Sequence, residues 1–136
     1  MRGDLIPAAM VGNKKYEGII MKIAISSNGP SMHDQVDPRF GRAAGFVIVD
    51  LETGASEYLD NGRAQMLGHG AGLQAAESIA RAGVKVLLTG QVGPKALQAL
   101  SAAGIKIVQN MEGMTVAQAL AEFKKLDVAT ASRSGR

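Results

Sequence analysis

Cysteine and tryptophan are absent from the chain, and so is any long apolar run. Without thiols there can be no disulfide, no thiolate-held zinc and no cysteine-ligated iron–sulfur cluster. Aromatic residues are confined to Tyr16, Phe40, Phe46, Tyr58 and Phe123. The core must therefore be built from Ala, Val, Ile and Leu, and the aromatic platforms on which single-stranded nucleic acids stack are lacking. No apolar stretch approaches the length of a membrane span. Leu5 to Val11 is too weakly apolar, and too interrupted by Pro7, to serve as a signal peptide, so a cytoplasmic protein is expected. Charge of one sign never runs together: the net charge of +3 is scattered, and neither a nucleic acid nor a membrane is expected as a partner.

What the chain does have is glycine in long connections. At 136 residues it has the length of one domain with one real core. Residues 1–20 carry no period, broken as they are by Gly3, Pro7, Gly12 and Lys14-Lys15, and are expected to be an added or disordered extension. A short edge strand over Tyr16 to Ile20 is the alternative. The domain is placed at 21–126. From Asp127 onward the Ala, Thr, Ser, Arg and Gly residues are expected to form a flexible tail, 127–136.

Lys22 to Ser27 reads as a buried strand, Gly45 to Leu51 as a second and Ala55 to Leu59 as a third, hairpinned to the second through Glu52-Thr53-Gly54. Leu73 to Arg81 is expected as a helix with Leu73, Ala76 and Ala80 inward and Gly83 as its stop. Val84 to Thr89 is a fourth strand. Pro94 opens a second helix, with Ala96, Leu97 and Leu100 as its apolar stripe. Ile105 to Val108 is a fifth strand, and Thr115 with Gln118 forms a capping box for a third helix. Crossovers of the strand–helix–strand kind are right-handed and join parallel strands. The order β-β-β-α-β-α-β-α then implies an α/β protein with a five-stranded mixed sheet, order 3-2-1-4-5, as in a ribonuclease-H-like arrangement.

In that topology the carboxyl ends of strands one, three, four and five share one edge, where open α/β sheets bind ligands. The loop Asn28 to Ala44 dominates it, above all Asp37-Pro38-Arg39-Phe40-Gly41-Arg42. Joining it are Asp60 to Gly72, Gly90 to Gly93 and Gln109 to Met114. Glycine allows close approach of backbone N–H groups, and three helices begin here with free donors and partial positive charge. An anion site is expected, with Gly41, Gly68, Gly70, Gly72, Gly90 and Gly93 supplying backbone, and Arg39, Arg42 and Lys95 supplying charge. Each of these has a plainer reading too. Glycines at loop ends are ordinary turn chemistry, Arg39 can pair with Asp37 or Asp34, and Phe40 can plug the core. The Gly68-His69-Gly70-Ala71-Gly72 run fits neither the dinucleotide nor the P-loop spacing. His33 and His69, the two histidines of the chain, are candidate metal contacts, although no direct ligand can be assigned. Met32, Met66, Met111 and Met114 fill gaps or act as soft Cu(I) ligands.

VDPRFGRAAGF (Val36 to Phe46), GHGAGLQAAE (Gly68 to Glu77), LLTGQVGPKALQAL (Leu87 to Leu100) and AAGIKI (Ala102 to Ile107) resemble the dinitrogenase iron–molybdenum cofactor biosynthesis family over about residues 21–125. The resemblance implies a ribonuclease-H-like fold and carriage of a metal–sulfur cluster without catalysis. In one branch that cluster is a molybdenum–copper sulfide bound non-covalently; in relatives it is an iron–molybdenum–sulfur cofactor precursor. Some relatives have cysteines, and this chain has none. Its cluster must bring its own sulfides and be held as an anion by N–H groups, cations and apolar walls, with Arg39, Arg42 and Lys95 neutralising it and His33 or His69 in contact. A monomer is expected.

Two other classes compete. A metal-dependent nuclease needs converging carboxylates, one of them on the first strand, and Lys22 to Ser27 has none there. Ser26, Ser27 and Ser31 lie near His33 in sequence with nothing to orient them as a triad. An adaptor acting through a protein partner, such as an ATPase or a cluster recipient, would use the same loops.

Overall fold

The computed structural model describes residues 21–134, with side chains described through Leu126. The expected extension 1–20 lies outside the described residues. Five strands form one mixed sheet: β1 (Lys22–Ser27), β2 (Gly45–Asp50), β3 (Ser56–Asp60), β4 (Val84–Leu88) and β5 (Lys106–Val108). Their order is β3-β2-β1-β4-β5. β2 runs antiparallel to β1 and β3, while β4 runs parallel to β1 and β5. This is the arrangement expected from the crossovers, and it is compatible with a ribonuclease-H-like fold.

β1 is central because its residues are apolar or small on both sides. Ile23, Ala24 and Ile25 are all fully buried. The strand's period of two divides them between two cores. Ala24 joins Phe46, Ile48 and Leu87 beneath the helices α2 (Ala71–Arg81) and α3 (Pro94–Ala102). Ile23 and Ile25 join Val47, Val49, Val86 and Leu88 beneath the long helix α4 (Val116–Ser134). Cross-strand pairs Ile23↔Val49, Ala24↔Ile48 and Ile25↔Val47 lock the register that produces this division.

Four details depart from expectation. A short helix, α1 (Gly62–Gln65), lies in the stretch read as a glycine-rich loop. The inward face of α2 is Ala71, Ala75, Ala76 and Ile79, and Leu73 points outward. Gly72 is the reason: a methyl group there would lie 2.9 Å from Cβ of Ala96. α2 and α3 approach too closely at their first turns for a leucine to lie between them. On α3, Ala96 and Leu100 are buried as expected, but Leu97 is partly exposed. Finally, α4 continues to Ser134, beyond the point at which the tail was expected to begin. No glycine or proline interrupts Asp127 to Ser134, so the backbone has no local reason to stop.

The loop Asn28–Ala44 is fastened to β4's exit by backbone. Gln91 N donates to Pro38 O (2.8 Å) and Phe40 N to Gln91 O (3.1 Å). Gly90 lies so close beneath this turn that a methyl group on it would meet Cα of Pro38 at 2.6 Å. Gly90→Ala is therefore expected to destabilise the domain by about 2 kcal/mol or more through overpacking against rigid backbone. Gly68→Ala, where nothing lies within 4 Å of the new methyl group, should leave the urea midpoint within error of the parent.

Candidate functional site

The expected loops do gather at the carboxyl edge of the sheet, but they divide into two lobes, one on each face. Residues 28–36 belong to the α4 side. Asp34 O accepts from Val116 N (2.8 Å), Met32 O accepts from Ala117 N (2.9 Å), and Val36 N donates to Met114 O (2.9 Å). The capping box forms as read from the sequence, with Thr115 N on Gln118 Oε1 (2.9 Å) and Gln118 N on Thr115 Oγ1 (3.1 Å). The first N–H groups of α4 are thus consumed within the protein, and the expectation of three open helix N-termini is corrected to two. His33 sits between the two capping carbonyls of Met32 and Asp34, on the opposite face of the sheet from His69. The structure does not bring the two histidines together.

Residues 38–44 cross to the α2–α3 side, and Asp37 is the crossing point. Its carboxylate is buried, 2% exposed, and serves the loop on either side of it. Oδ1 accepts from Arg39 N (3.0 Å) and Oδ2 from Ala44 N (3.4 Å). Asp37 N donates to Ser26 O (2.9 Å), while Asp37 O accepts from Ser26 Oγ (2.8 Å), itself 2.7 Å from Thr89 Oγ1. Every polar group here has a partner, as burial demands. The pairing left open for Arg39 is settled in favour of Asp37: Nε lies 3.4 Å from Oδ1, while the arginine side chain stays 62% exposed.

Phe40 is corrected from a site residue to a core residue. It is 1% exposed and packs on Phe46 with ring centroids 5.4 Å apart; its benzyl group is the largest apolar surface in a loop otherwise polar, and burial is where it gains most. Gly41 and Gly72 lie backbone against backbone, since a methyl group on Gly41 would meet Cα and N of Gly72 at 2.8 Å. Together with Gly90 they are packing glycines, and their expected role in ligand approach is corrected accordingly. Arg42 spends its guanidinium on carbonyl oxygens, Nη1 on Gln65 O (3.0 Å) and Leu67 O (2.8 Å), Nη2 on Gly68 O (3.3 Å). It builds the wall of the site and adds charge to it, with three of its five N–H donors engaged by these carbonyls.

Two helix starts remain, side by side. α2 begins after Gly70, whose φ of 79° is the left-handed region that glycine enters without strain, and no side chain caps it. α3 begins after Gly93 with Pro94 first, again without a side-chain cap. Gly68, Gly70 and Gly93 have open space about their α-carbons. Exposed Arg39 and His69 stand on the adjoining loops, and exposed Lys95 in the first turn of α3. This corner combines N–H donors without side-chain caps, two helix dipoles and the exposed cations Arg39 and Lys95, the components of an anion site. No group of three or more His, Cys, Asp or Glu among the described residues could ligate a metal ion directly.

Several polar residues that hold the corner were not singled out in the sequence. Asn61, buried, donates from Nδ2 to Gly41 O (3.1 Å) and Ala43 O (2.9 Å). Gln65 Nε2 donates to Arg42 O (3.1 Å), and Gln109 Oε1 accepts from Val92 N (3.0 Å). Asn110 takes φ 68° and accepts from Gln91 Nε2 (2.9 Å). An amide between turn residues has no spacing to betray it, and only its type, Asn at a left-handed position, offered a signal.

A family model described as dinitrogenase iron-molybdenum cofactor matches residues 20–126. The chain belongs to that family. The apo form of the orange protein from Desulfovibrio gigas is similar in structure, with a TM-score of 0.77 at 57% identity, covering 78% of this chain and 88% of that one. A NifB-like Thermotoga protein of the DUF35 family has a TM-score of 0.69 at 35% identity, over 78% of this chain and 89% of that one. An uncharacterized protein of Methanocaldococcus jannaschii is 33% identical over 91 residues, 65% of this chain and 73% of its own length.

The α4 lobe is electrostatically different from the α2–α3 corner. Tyr58 is held above its ordinary pKa of 10.0, first by burial and then by the negative charges of Asp60, Asp34 and Asp37. The phenolate is thus disfavoured in the folded state, and stability is intact below the unfolded value and declines as pH rises above about 10. Tyr58→Phe should remove that part of the alkaline decline, measured as the urea midpoint against pH. Asp37→Ala, which strands two part-buried N–H groups, those of Arg39 and Ala44, should cost about 2 kcal/mol at neutral pH. Asp34→Ala, losing one exposed bond to Ser31 N, should cost well under half of that in the same denaturation series.

Proposed function

We propose that this protein carries an anionic metal–sulfur cluster, of the molybdenum–copper sulfide kind, without catalysing a reaction on it. The observation that carries the reading is the pair of neighbouring, side-chain-uncapped helix N-termini of α2 and α3, flanked by Arg39 and Lys95, in a chain without a single thiol. A cluster that supplies its own sulfide ligands presents negative charge and soft acceptors at its surface. Backbone N–H groups of the first turns, the helix dipoles and the two cations meet that charge without a protein–metal bond. A bare iron–sulfur cluster would require protein thiolates at its exposed irons, and the chain has none to give.

Catalytic rivals fit the residues poorly. Ser26 and Ser27 are fully buried, and the Ser26 hydroxyl is tied to Asp37 O and Thr89. The carboxylates a two-metal nuclease requires do not converge among the described residues. Among those residues no helix is long and apolar enough to cross a membrane.

Apo-protein mixed with tetrathiomolybdate and Cu(I), then desalted, should retain a charge-transfer absorption. The double change Arg39→Glu and Lys95→Glu should weaken retention about tenfold or more, the equivalent of about 1.4 kcal/mol. His33→Ala should leave retention unchanged, because His33 lies on the α4 side. Loss of all colour from the parent protein, or retention only of an iron–molybdenum–sulfur precursor, would contradict the molybdenum–copper assignment.

A further inference from the structure

Three exposed apolar side chains stand at the rim of the same corner: Met66 at 86%, Leu67 at 38% and Leu73 at 42% exposure. Their adjacency follows from contacts already described. Arg42 is bonded to the carbonyls on either side of Met66 and to that of Gly68. Gly41 lies on Gly72, next to Leu73, and Gly72 lies on Ala96, next to Lys95. Scattered exposed leucines are ordinary, but an apolar group bordered by charge of one sign is the anatomy of a contact surface.

The border is cationic. From Asn61 to Met111 the sole acidic residue is Glu77, against Arg63, Arg81, Lys85, Lys95 and Lys106. Of these Arg63 lies in α1 and Lys95 in the first turn of α3, and Arg39 and Arg42 join them from the crossing loop. A group of acids lies on the β2–β3 hairpin; one of them, Asp60 at the end of β3, accepts from Gly62 N at the start of α1 (3.0 Å), and Asp37 pairs with Arg39. From Ala43 to Gly62 the charged residues are Asp50, Glu52, Glu57 and Asp60, with no base, and β3 is the edge strand that holds the last two. The exposed Met66, Leu67 and Leu73 are thus bordered by four bases, Arg39, Arg42, Arg63 and Lys95, against one exposed acid, Asp60, at the start of α1.

We propose that the corner formed by α1 and the first turns of α2 and α3 docks a protein surface carrying acidic side chains around an apolar centre, and that this partner and the anionic cluster compete for the same cations. The proposal rests on the cluster reading for its second half only. An anionic membrane would share the charge preference, but this rim has no aromatic anchor and too few cations to form a polybasic patch. An acidic protein partner gains from both the cations and the apolar rim when the site is empty, and loses the electrostatic part when a cluster has already neutralised it. Thermodynamic reciprocity then requires that docking weaken cluster affinity by the same factor. A carrier with that coupling releases its cargo at its recipient without any metal–protein bond to break.

The full chain, isotope-labelled and apo, would be titrated with a synthetic amphipathic helix whose leucine stripe is bordered by glutamates. Amide shifts are expected in residues 39–42, 66–73 and 93–97, with affinity falling about tenfold when salt is raised from about 0.05 to about 0.3 M. Met66→Ser with Leu73→Ser, both at exposed positions, should weaken binding about tenfold while leaving the urea midpoint unchanged. Loading with tetrathiomolybdate and Cu(I) should weaken it to a similar degree. Shifts elsewhere or none at all, stronger binding to phosphatidylglycerol vesicles than to the peptide, or an affinity indifferent to loading would each overturn the proposal. If the parent protein binds the peptide at this corner yet retains no thiomolybdate, the docking surface stands and the cluster reading fails.

Discussion

The corner exists because backbone is allowed to touch backbone. Pro38 lies on Gly90, Gly41 lies on Gly72, and Gly72 in turn lies on Ala96. These contacts set the spacing of the crossing loop, the start of α2 and the start of α3, and none survives the addition of a methyl group without displacement. Interiors are packed to solid density, so a displacement at one contact is passed to the next. With the three segments pressed together, the first turns of α2 and α3 lie side by side, and Arg39 and Lys95 stand exposed on the segments that form the corner.

Asp37 performs the complementary task in polar terms. A loop of this length crossing from one face of a sheet to the other exposes many N–H groups to the interior at the crossing, where water cannot serve them. One carboxylate satisfies the loop on both sides of the turn, and the Ser26 and Thr89 hydroxyls complete the set. The division of labour is legible in what each half of the loop does next. The α4 half yields its carbonyls to cap a helix; the other half yields glycine and arginine to build a wall.

The strands, the sheet order and the helix starts were legible in the sequence because they rest on short-range rules: apolar runs, the period of the helix, the handedness of crossovers, proline and capping-box positions. The sides of things were less legible. Leu73 looked inward by composition and points outward, since Gly72 had already claimed the interface with α3. Phe40 and Arg42 looked like ligand contacts from their place in a polar, glycine-rich loop, and both are structural, one as a core plug and one as a clamp on carbonyls. His33 and His69 were alternative contacts because both fall in loops of one sheet edge, but an edge has two faces, and linear sequence does not say to which face a loop will turn. Arg39 pairs with Asp37, one of the two partners its plainer reading allowed, and its side chain stays exposed.

Holding an anion by N–H groups and cations, with no thiolate in the chain, has a consequence for what such a site can distinguish. A thiolate ligand recognises the metal itself and exchanges slowly, whereas a cradle of dipoles recognises charge, size and the positions of surface acceptors, and exchanges as fast as water and salt allow. Asp50, Glu52, Glu57 and Asp60 lie on the β2–β3 hairpin, and the negative charge of Asp60, Asp34 and Asp37 also reaches Tyr58. Sorting charge across the sheet therefore does for this corner what covalent ligation does for a thiolate site. On the proposed reading it marks one place among the described residues for an incoming anion, and it leaves that anion free to depart intact when another negative surface takes its place.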